Sequence, residues 1–333
     1  MTKVVGVSFG TKDGRNDAFC KEALMGAREE GCEVEFIHAM DLDIRHCTGC
    51  QSCVFAQCAG RGNPCIHKDD FDWLMTELFH ADGVLFVDPI FENGCSGLFK
   101  TVCDRFGPRT DTGMCRMAQE TAEKNKAEGK PYRDIDPAIL NPRVCVSFIA
   151  MGGSEWGTSA QADHQMQAMS PSWKMIDNEW VPWSQKALVD DEVIARAHQA
   201  GVNLARAAKD FDTATTLARG ACPHCQNNNF YLWPGTNKVT CTVCGLDGHI
   251  AFDEKGNVEV HYTHEETHDE RGLFRAHDTD EGKQIHGEDI NRMYAEIGPL
   301  MQDERLKARR AAYKAFVSPA YPPYYVDGKR PSK

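Results

Sequence analysis

The sequence predicts a doubly wound α/β fold, a five-stranded parallel sheet covered by helices, and three observations predict it. Short β-rich apolar runs alternate with helix-period segments from residue 1 to about 212. The 333-residue length exceeds what one small core absorbs, so further elements are expected beyond that sheet. At 41% hydrophobic and 26% charged residues, the composition is that of a packed globular chain.

The strand-like runs are Val4–Ser8, Val34–His38, Val84–Val87, Val144–Ala150 and a fifth near Trp173–Ile176. Between and after them, Asn16–Glu30, Asp69–His80, Ser96–Phe106, Thr158–Met169 and Asp190–Asp210 each place Ala, Leu, Met or Phe along one helical face. Residues 107–142 interrupt the alternation: Lys and Glu are dense in Glu120–Lys130, and Pro131, Pro137 and Pro142 break regular structure, which reads as an insertion over the sheet's edge or mouth. Residues 213–262 change to paired cysteines, glycine and alternating β-formers, a second small domain. Residues 263–333 read as a helical extension, with helices at Asp289–Ile297 and Pro299–Phe316, ending in a Pro- and Tyr-rich tail at Ser318–Tyr325.

A net charge of −12 disfavours non-specific binding to nucleic acid or to an anionic membrane surface. Apolar runs such as Val144–Met151 fall far short of the roughly 20 residues of a membrane span. The chain opens directly on a strand pattern without the features of a secretory signal, so the expected compartment is the cytoplasm. There, fifteen cysteines read as metal ligands or small buried hydrophobes rather than as a disulfide framework.

Three loops follow strands and carry the chemistry. Ser8-Phe9-Gly10-Thr11-Lys12-Asp13-Gly14-Arg15-Asn16 leads into the first helix, whose N-terminus favours an anion, with Ser8, Lys12, Arg15 and Asn16 as added donors. Asp88-Pro89-Ile90-Phe91-Glu92-Asn93-Gly94 follows the third strand, with Lys100 and Asp104-Arg105 beyond it. Met151-Gly152-Gly153-Ser154-Glu155-Trp156 follows the fourth, where glycine permits backbone to approach a ligand closely. A rival motif overlaps the first loop: Gly6-Val7-Ser8-Phe9-Gly10 fits the G-x-S-x-G nucleophile elbow, although it lies on the first strand without an evident His partner.

In order and position these loops resemble those of the flavodoxin-like NAD(P)H-dependent FMN reductases, and in particular their iron–sulfur flavoprotein branch. The resemblance covers residues 1 to about 212 outside the insertion, and it departs from the family's pattern at Val7, Gly10 and Asp17. It implies that the first loop receives the FMN phosphate, that Pro89, Ile90, Phe91, Glu92, Asn93 and Gly94 border the isoalloxazine ring, and that Gly152, Gly153 and Trp156 approach its edge.

Cys47-x2-Cys50-x2-Cys53, followed by Cys58 and Cys65, crowds thiolates as a 4Fe–4S cluster requires; zinc and free thiols are the alternatives. The resemblance places its fourth ligand just before Asp69-Asp70, which assigns Cys47, Cys50, Cys53 and Cys65 and leaves Cys58 as an extra candidate. Cys222-x2-Cys225 and Cys241-x2-Cys244, fifteen residues apart, have zinc-ribbon spacing, with a rubredoxin-type iron site as the alternative. Residues 215–262 hold three Lys or Arg against four Asp or Glu, which argues against a nucleic-acid-binding ribbon. Cys95 and Cys115 are read as near the mouth.

The expected function is FMN-dependent oxidoreduction, with NAD(P)H or a protein as donor and a small molecule or protein as acceptor; an electron carrier or redox sensor is the alternative. A homo-oligomer, dimer or tetramer, is expected because flavin sites of the family commonly lie at subunit contacts.

Overall fold

The computed structural model describes residues 1–153, 157–211, 222–263 and 267–316. Strands β1 (Lys3–Ser8), β2 (Glu33–His38), β3 (Gly83–Pro89), β4 (Val144–Ala150) and β5 (Lys174–Val181) form one parallel sheet in the order β2-β1-β3-β4-β5. The central strands β3 and β4 are buried almost throughout, as expected where helices cover both faces of a sheet. Helices α1 (Arg15–Glu29) and α7 (Asp191–Lys209) cover one face through Phe19, Ala23, Leu24, Ala200 and Leu204. They cross closely because Gly201 has no side chain: a Cβ there would stand 1.7 Å from the Ala23 carbonyl oxygen.

The other face is covered by α3 (Phe71–Phe79) and α4 (Gly97–Thr110), whose Phe71, Leu74, Phe99 and Phe106 share a core with Phe86 and Trp173. Helix α6 (Gly157–Met169) adds Ala168. Strand β5 runs five residues past the Ile176 that its apolar run indicates. Its continuation through Asp177, Asn178 and Glu179 is tolerated because β5 pairs only with β4, leaving an edge where polar side chains stand.

The insertion is more regular than its prolines indicate. Gly107 (φ 30°, ψ −133°) and Pro108 kink α4, and a new helix α5 (Thr112–Ala127) begins where the Asp111 carboxylate accepts the Met114 N–H at 2.9 Å. Met114, Cys115, Ala118 and Ala122 form its buried stripe, and the prolines fall beyond its end. A short helix α2 (Ser52–Cys58), also unforeseen, packs against it.

Strands β6 (Phe230–Leu232), β7 (Lys238–Cys241), β8 (Asp247–Phe252) and β9 (Val258–Tyr262) form an antiparallel sheet in sequential order. The chain divides into two compact units, Met1–Ile285 and His286–Lys333. Within the first, Phe274 and Ala276 pack with the ribbon cysteines and Met169. The buried Lys283 ammonium donates to Asp111 at 2.6 Å and to the carbonyls of Met169 and Ser170. Burial opposes ionisation of Asp111, yet bonds from His277 and Lys283 hold its carboxyl well below the usual range. Helix α8 spans Asp280–Leu300, and the described part of the second unit also contains α9 (Glu304–Phe316). The Ser318–Tyr325 tail lies outside the described residues. Among the described residues no helix is long and apolar enough to cross a membrane.

Candidate functional site

In this strand order the chain winds outward in opposite directions from β1 and β3, and the crevice beyond their carboxyl ends is where a doubly wound sheet binds ligands. A cleft of about 600 Å³ opens there. All three loops reach it: Phe9, Gly10, Thr11, Gly14, Arg15 and Asn16 from the first, Pro89, Ile90 and Phe91 from the second, Met151 and Gly152 from the third.

The first loop is held from beneath. Ser8, fully buried, lies 2.5 Å from the Asp17 carboxylate, which also accepts the Asp13 N–H at 2.7 Å. This removes the nucleophile-elbow reading, since the Ser8 hydroxyl is committed to an internal carboxylate and has no exposure. It also explains an acidic residue in the first turn of an anion-binding helix: Asp17 is buried under the loop and does not line the cleft. Gly10 is required, because a Cβ would stand 2.5 Å from the Asn16 amide nitrogen. Arg15 lines the cleft, exposed and without an ion pair among the described residues, whereas Lys12 is off the lining and reaches Asp41 at 3.4 Å. The first N–H groups of α1 have no acceptor within the helix, no side chain caps them, and Gly14, Arg15 and Asn16 at this helix start line the cleft.

In the second loop, Phe91 and Gly94 exchange both backbone hydrogen bonds around Glu92 (φ 49°) and Asn93 (φ 61°), a two-residue hairpin with both central residues left-handed. Pro89, Ile90 and Phe91 therefore face the cleft, while Glu92, Asn93 and Gly94 form the tip and are off the lining. Gly152 lines the cleft, Gly153 does not, and Trp156 lies outside the described residues. Met40, Ser96, Gly97, Leu98, Ala150, Ser184 and Gln185 complete the lining. Ser184 and Gln185 escaped the sequence reading because the fifth strand was ended too early. Cys115 is buried under α5, not at the mouth, and Cys95 is half-buried beside the cleft with its thiol pushed up to about 12 by burial and by Asp163.

Cys47, Cys50, Cys53 and Cys65 surround a second cavity, of about 40 Å³, and Cys58 does not. The loop bearing the triad is tied to the start of α3: the N–H of Asp43 donates to Asp70 at 2.7 Å and that of Arg45 to Asp69 at 2.9 Å. Gly60 (φ 62°) and Gly62 (φ 70°) turn the chain back so that Cys65 returns to the triad. Among the described residues, no three of these sulfurs lie within 4.8 Å of one another, a wider arrangement than the shell of one ion. Three buried nitrogens on residues lining the same cavity have no partner: Arg105 Nε, Arg109 NH1 and His67 Nε2. Orphaned nitrogens around four thiols fit an electron-rich, anionic group.

The ribbon cysteines are arranged differently. Cys222 and Cys244 Sγ atoms are 3.5 Å apart, as are Cys225 and Cys241, and all four buried sulfurs lie within 4.8 Å. Thiolates at about 2.3 Å from a tetrahedral ion stand about 3.8 Å apart, so this donor set suits a single ion. Each second cysteine is followed by a left-handed residue, Gln226 (φ 62°) and Gly245 (φ 79°), which closes the knuckle. The Asn227 amide donates to Cys241 Sγ at 3.5 Å, and His224 pairs with Asp278 at 2.7 Å.

A doubly wound sheet in the order β2-β1-β3-β4-β5 with a loop-built cleft at its β1/β3 crevice defines a flavodoxin-like fold. Residues 2–186 match the family described as NADPH-dependent FMN reductase, and the chain belongs to that family. An iron–sulfur flavoprotein of Methanocaldococcus jannaschii is 30% identical over 168 residues, 48% of this chain and 80% of that protein. A second from the same organism is 32% identical over 107 residues, and the match spans about half of it, 52%. The solved structure of a flavone reductase superposes with a TM-score of 0.80 at 42% identity, covering 96% of this chain and all of the other. That match extends well beyond the residues of the family match.

Proposed function

We propose that the chain is an NAD(P)H:acceptor oxidoreductase that holds FMN in the β1/β3 cleft and reduces a planar aromatic enone of the flavone class. The cleft carries the reading: three strand-end loops converge on a volume of ligand size, with a free arginine at its anionic end. The similarity to a flavone reductase along almost the whole chain supports the acceptor class.

Bound FMN would supply the hydride chemistry, accepting from NAD(P)H and donating to the acceptor. The chain's own residues do the rest. Arg15, Asn16 and the first N–H groups of α1 would bind the phosphate; Pro89, Ile90, Phe91 and Gly152 would border the ring; Met40, Leu98 and Met151 would exclude water above a flat acceptor. Ser8, Lys12, Glu92, Asn93, Gly94 and Gly153 would shape these loops without touching the cofactor. The net reaction adds a hydride from NAD(P)H and a proton from solvent across the conjugated double bond.

For the ribbon we propose one structural zinc on Cys222, Cys225, Cys241 and Cys244. For the second cavity we propose a 4Fe–4S cluster on Cys47, Cys50, Cys53 and Cys65; the orphaned nitrogens there and the names of the archaeal relatives support it. The division of labour follows: residues 1–212 bind flavin with 107–142 inserted, 213–262 form the ribbon, and 263–333 form an extension. None of the fifteen cysteines is paired in a disulfide, which suits the cytoplasm. We expect a homo-oligomer, to be read from sedimentation.

The test is anaerobic turnover of flavin-loaded protein with NADH or NADPH and a flavone. The expected product is heavier by one H2, with matching nicotinamide oxidation. Nicotinamide oxidation by a quinone without flavone consumption would overturn the acceptor class. Reduction only by a protein donor would favour an electron carrier.

A further inference from the structure

Beside the four thiols that line the small cavity lie two arginines of α4, one on either side of the Gly107–Pro108 kink and both almost fully buried: Arg105 and Arg109 are 3% and 4% exposed. They are neutralised unequally. Arg105 donates twice to Asp69, at 2.6 and 3.0 Å, and both side chains are essentially inaccessible. Its charge is therefore cancelled inside the protein. Arg109 pairs with Asp72 at 2.7 Å, but that carboxylate is half exposed, so solvent screens it from the interior. What remains beside the sulfurs is the net positive charge of Arg109.

The guanidinium is also held in one orientation. Its Nε donates to the Asn63 carbonyl at 2.8 Å, and the Asn63 amide donates back to the Arg109 carbonyl at 2.7 Å. With NH2 on Asp72, only NH1 has no partner; it is buried, and the residue lines the cavity. An arginine retains its charge under all ordinary conditions, and leaving one of its N–H groups unmet in the interior is costly. A thiolate or sulfide acceptor in the cavity would meet it.

We propose that Arg109 sets the reduction potential of the centre bound by Cys47, Cys50, Cys53 and Cys65, as a buried, incompletely neutralised cation with one hydrogen bond directed at its sulfurs. The inference rests on the proposed cluster. On one-electron reduction, with the electron drawn from the flavin, no bond forms or breaks and the centre becomes one charge more negative. A nearby buried cation stabilises that reduced state and raises the potential. Arg109 is a positioning and tuning residue here, not a ligand.

The experiment is an anaerobic redox titration of the cluster absorbance in the full chain, with iron and sulfide determined on each sample. Arg109→Gln, which keeps an N–H donor on a shorter side chain and loses the charge, is expected to disfavour reduction at least tenfold, about 59 mV lower for a one-electron couple. Arg109→Lys is expected to fall between this variant and wild type. Asp72→Asn removes the partly screened counter-charge of Arg109 and is expected to move the potential in the opposite direction, by less than the Arg109→Gln shift. Arg109→Gln with full iron and sulfide at the wild-type potential would overturn the proposal. If Arg109→Gln fails to assemble, a shift of the same sign in Asp72→Asn and Arg109→Lys would overturn it. Absence of iron and sulfide from the wild type would instead overturn the cluster reading, and this inference with it.

Discussion

The Asp88 carboxylate and the His164 imidazole meet at 2.9 Å with both side chains fully buried. The same oxygen accepts the N–H of Ser96 at 2.9 Å, and the other ring nitrogen faces the Ala160 carbonyl at 2.6 Å. Asp88 is the penultimate residue of β3 and Ser96 caps α4, its hydroxyl accepting the Phe99 N–H. One carboxylate thus ties together both ends of the loop that carries Pro89, Ile90 and Phe91 into the cleft.

His164→Leu should therefore cost about 3 kcal/mol of stability, because it strands a buried carboxylate, and should weaken flavin binding through the loosened loop. Adding Asp88→Asn to His164→Leu should recover part of the loss. Denaturant unfolding and flavin titration check both; a double variant no better than the single would remove the pair from the explanation.

Arg15→Ala should weaken FMN binding about tenfold or more, the scale of one hydrogen bond to a charged group, roughly 1.5 kcal/mol or above. Lys12→Ala should change it far less, because Lys12 lies off the cleft lining and faces Asp41. Fluorescence titration of apoprotein with FMN separates the two, and equal losses would place the phosphate nearer Lys12.

Cys65→Ser should lose the iron–sulfur absorbance while Cys58→Ser retains it, since Cys65 alone of the two lines the cavity of the triad. Iron content of anaerobically prepared variants decides; loss in Cys58→Ser with retention in Cys65→Ser reverses the assignment.

Cys241→Ser should abolish zinc binding and unfold the ribbon locally, because Cys241 shares a small buried core with Val243, Leu246 and Phe274. Flavin should stay bound, since no ribbon residue lines the cleft. Metal analysis beside the flavin spectrum reads both effects, and joint loss would mean the two sites fold as one.

Burial opposes ionisation of Asp69, but Arg105 and the N–H groups of Arg45 and Phe71 hold its carboxyl down to about 2. A depressed carboxyl contributes stability above its unfolded value of about 3.9, and the contribution is lost as pH falls toward about 2. Wild-type protein should therefore lose thermal stability steeply across that window, and Asp69→Asn, less stable at neutral pH, should lose less. Parallel curves for the two proteins would show that Asp69 is not the group being titrated.

By itself the sequence determined the alternation of β and α elements, the three strand-end loops and the four-cysteine cluster, because periodicity, glycine placement and C-x2-C spacing are local properties of the chain. The helix within 112–127 was obscured by lysines, glutamates and nearby prolines, although Met114, Cys115, Ala118 and Ala122 already carried its buried stripe. Only the tertiary structure decided which loop residues face the cleft. The left-handed pair Glu92 and Asn93 turns the loop tip away while Phe91 stays at the rim, and Asp17 turns inward to Ser8 instead of toward an anion. The tertiary structure also put Cys65, and not Cys58, on the lining of the triad's cavity, with Arg109 beside it. Those side chains meet through contacts between segments tens of residues apart, where chain folding, not local spacing, sets which groups share a cavity.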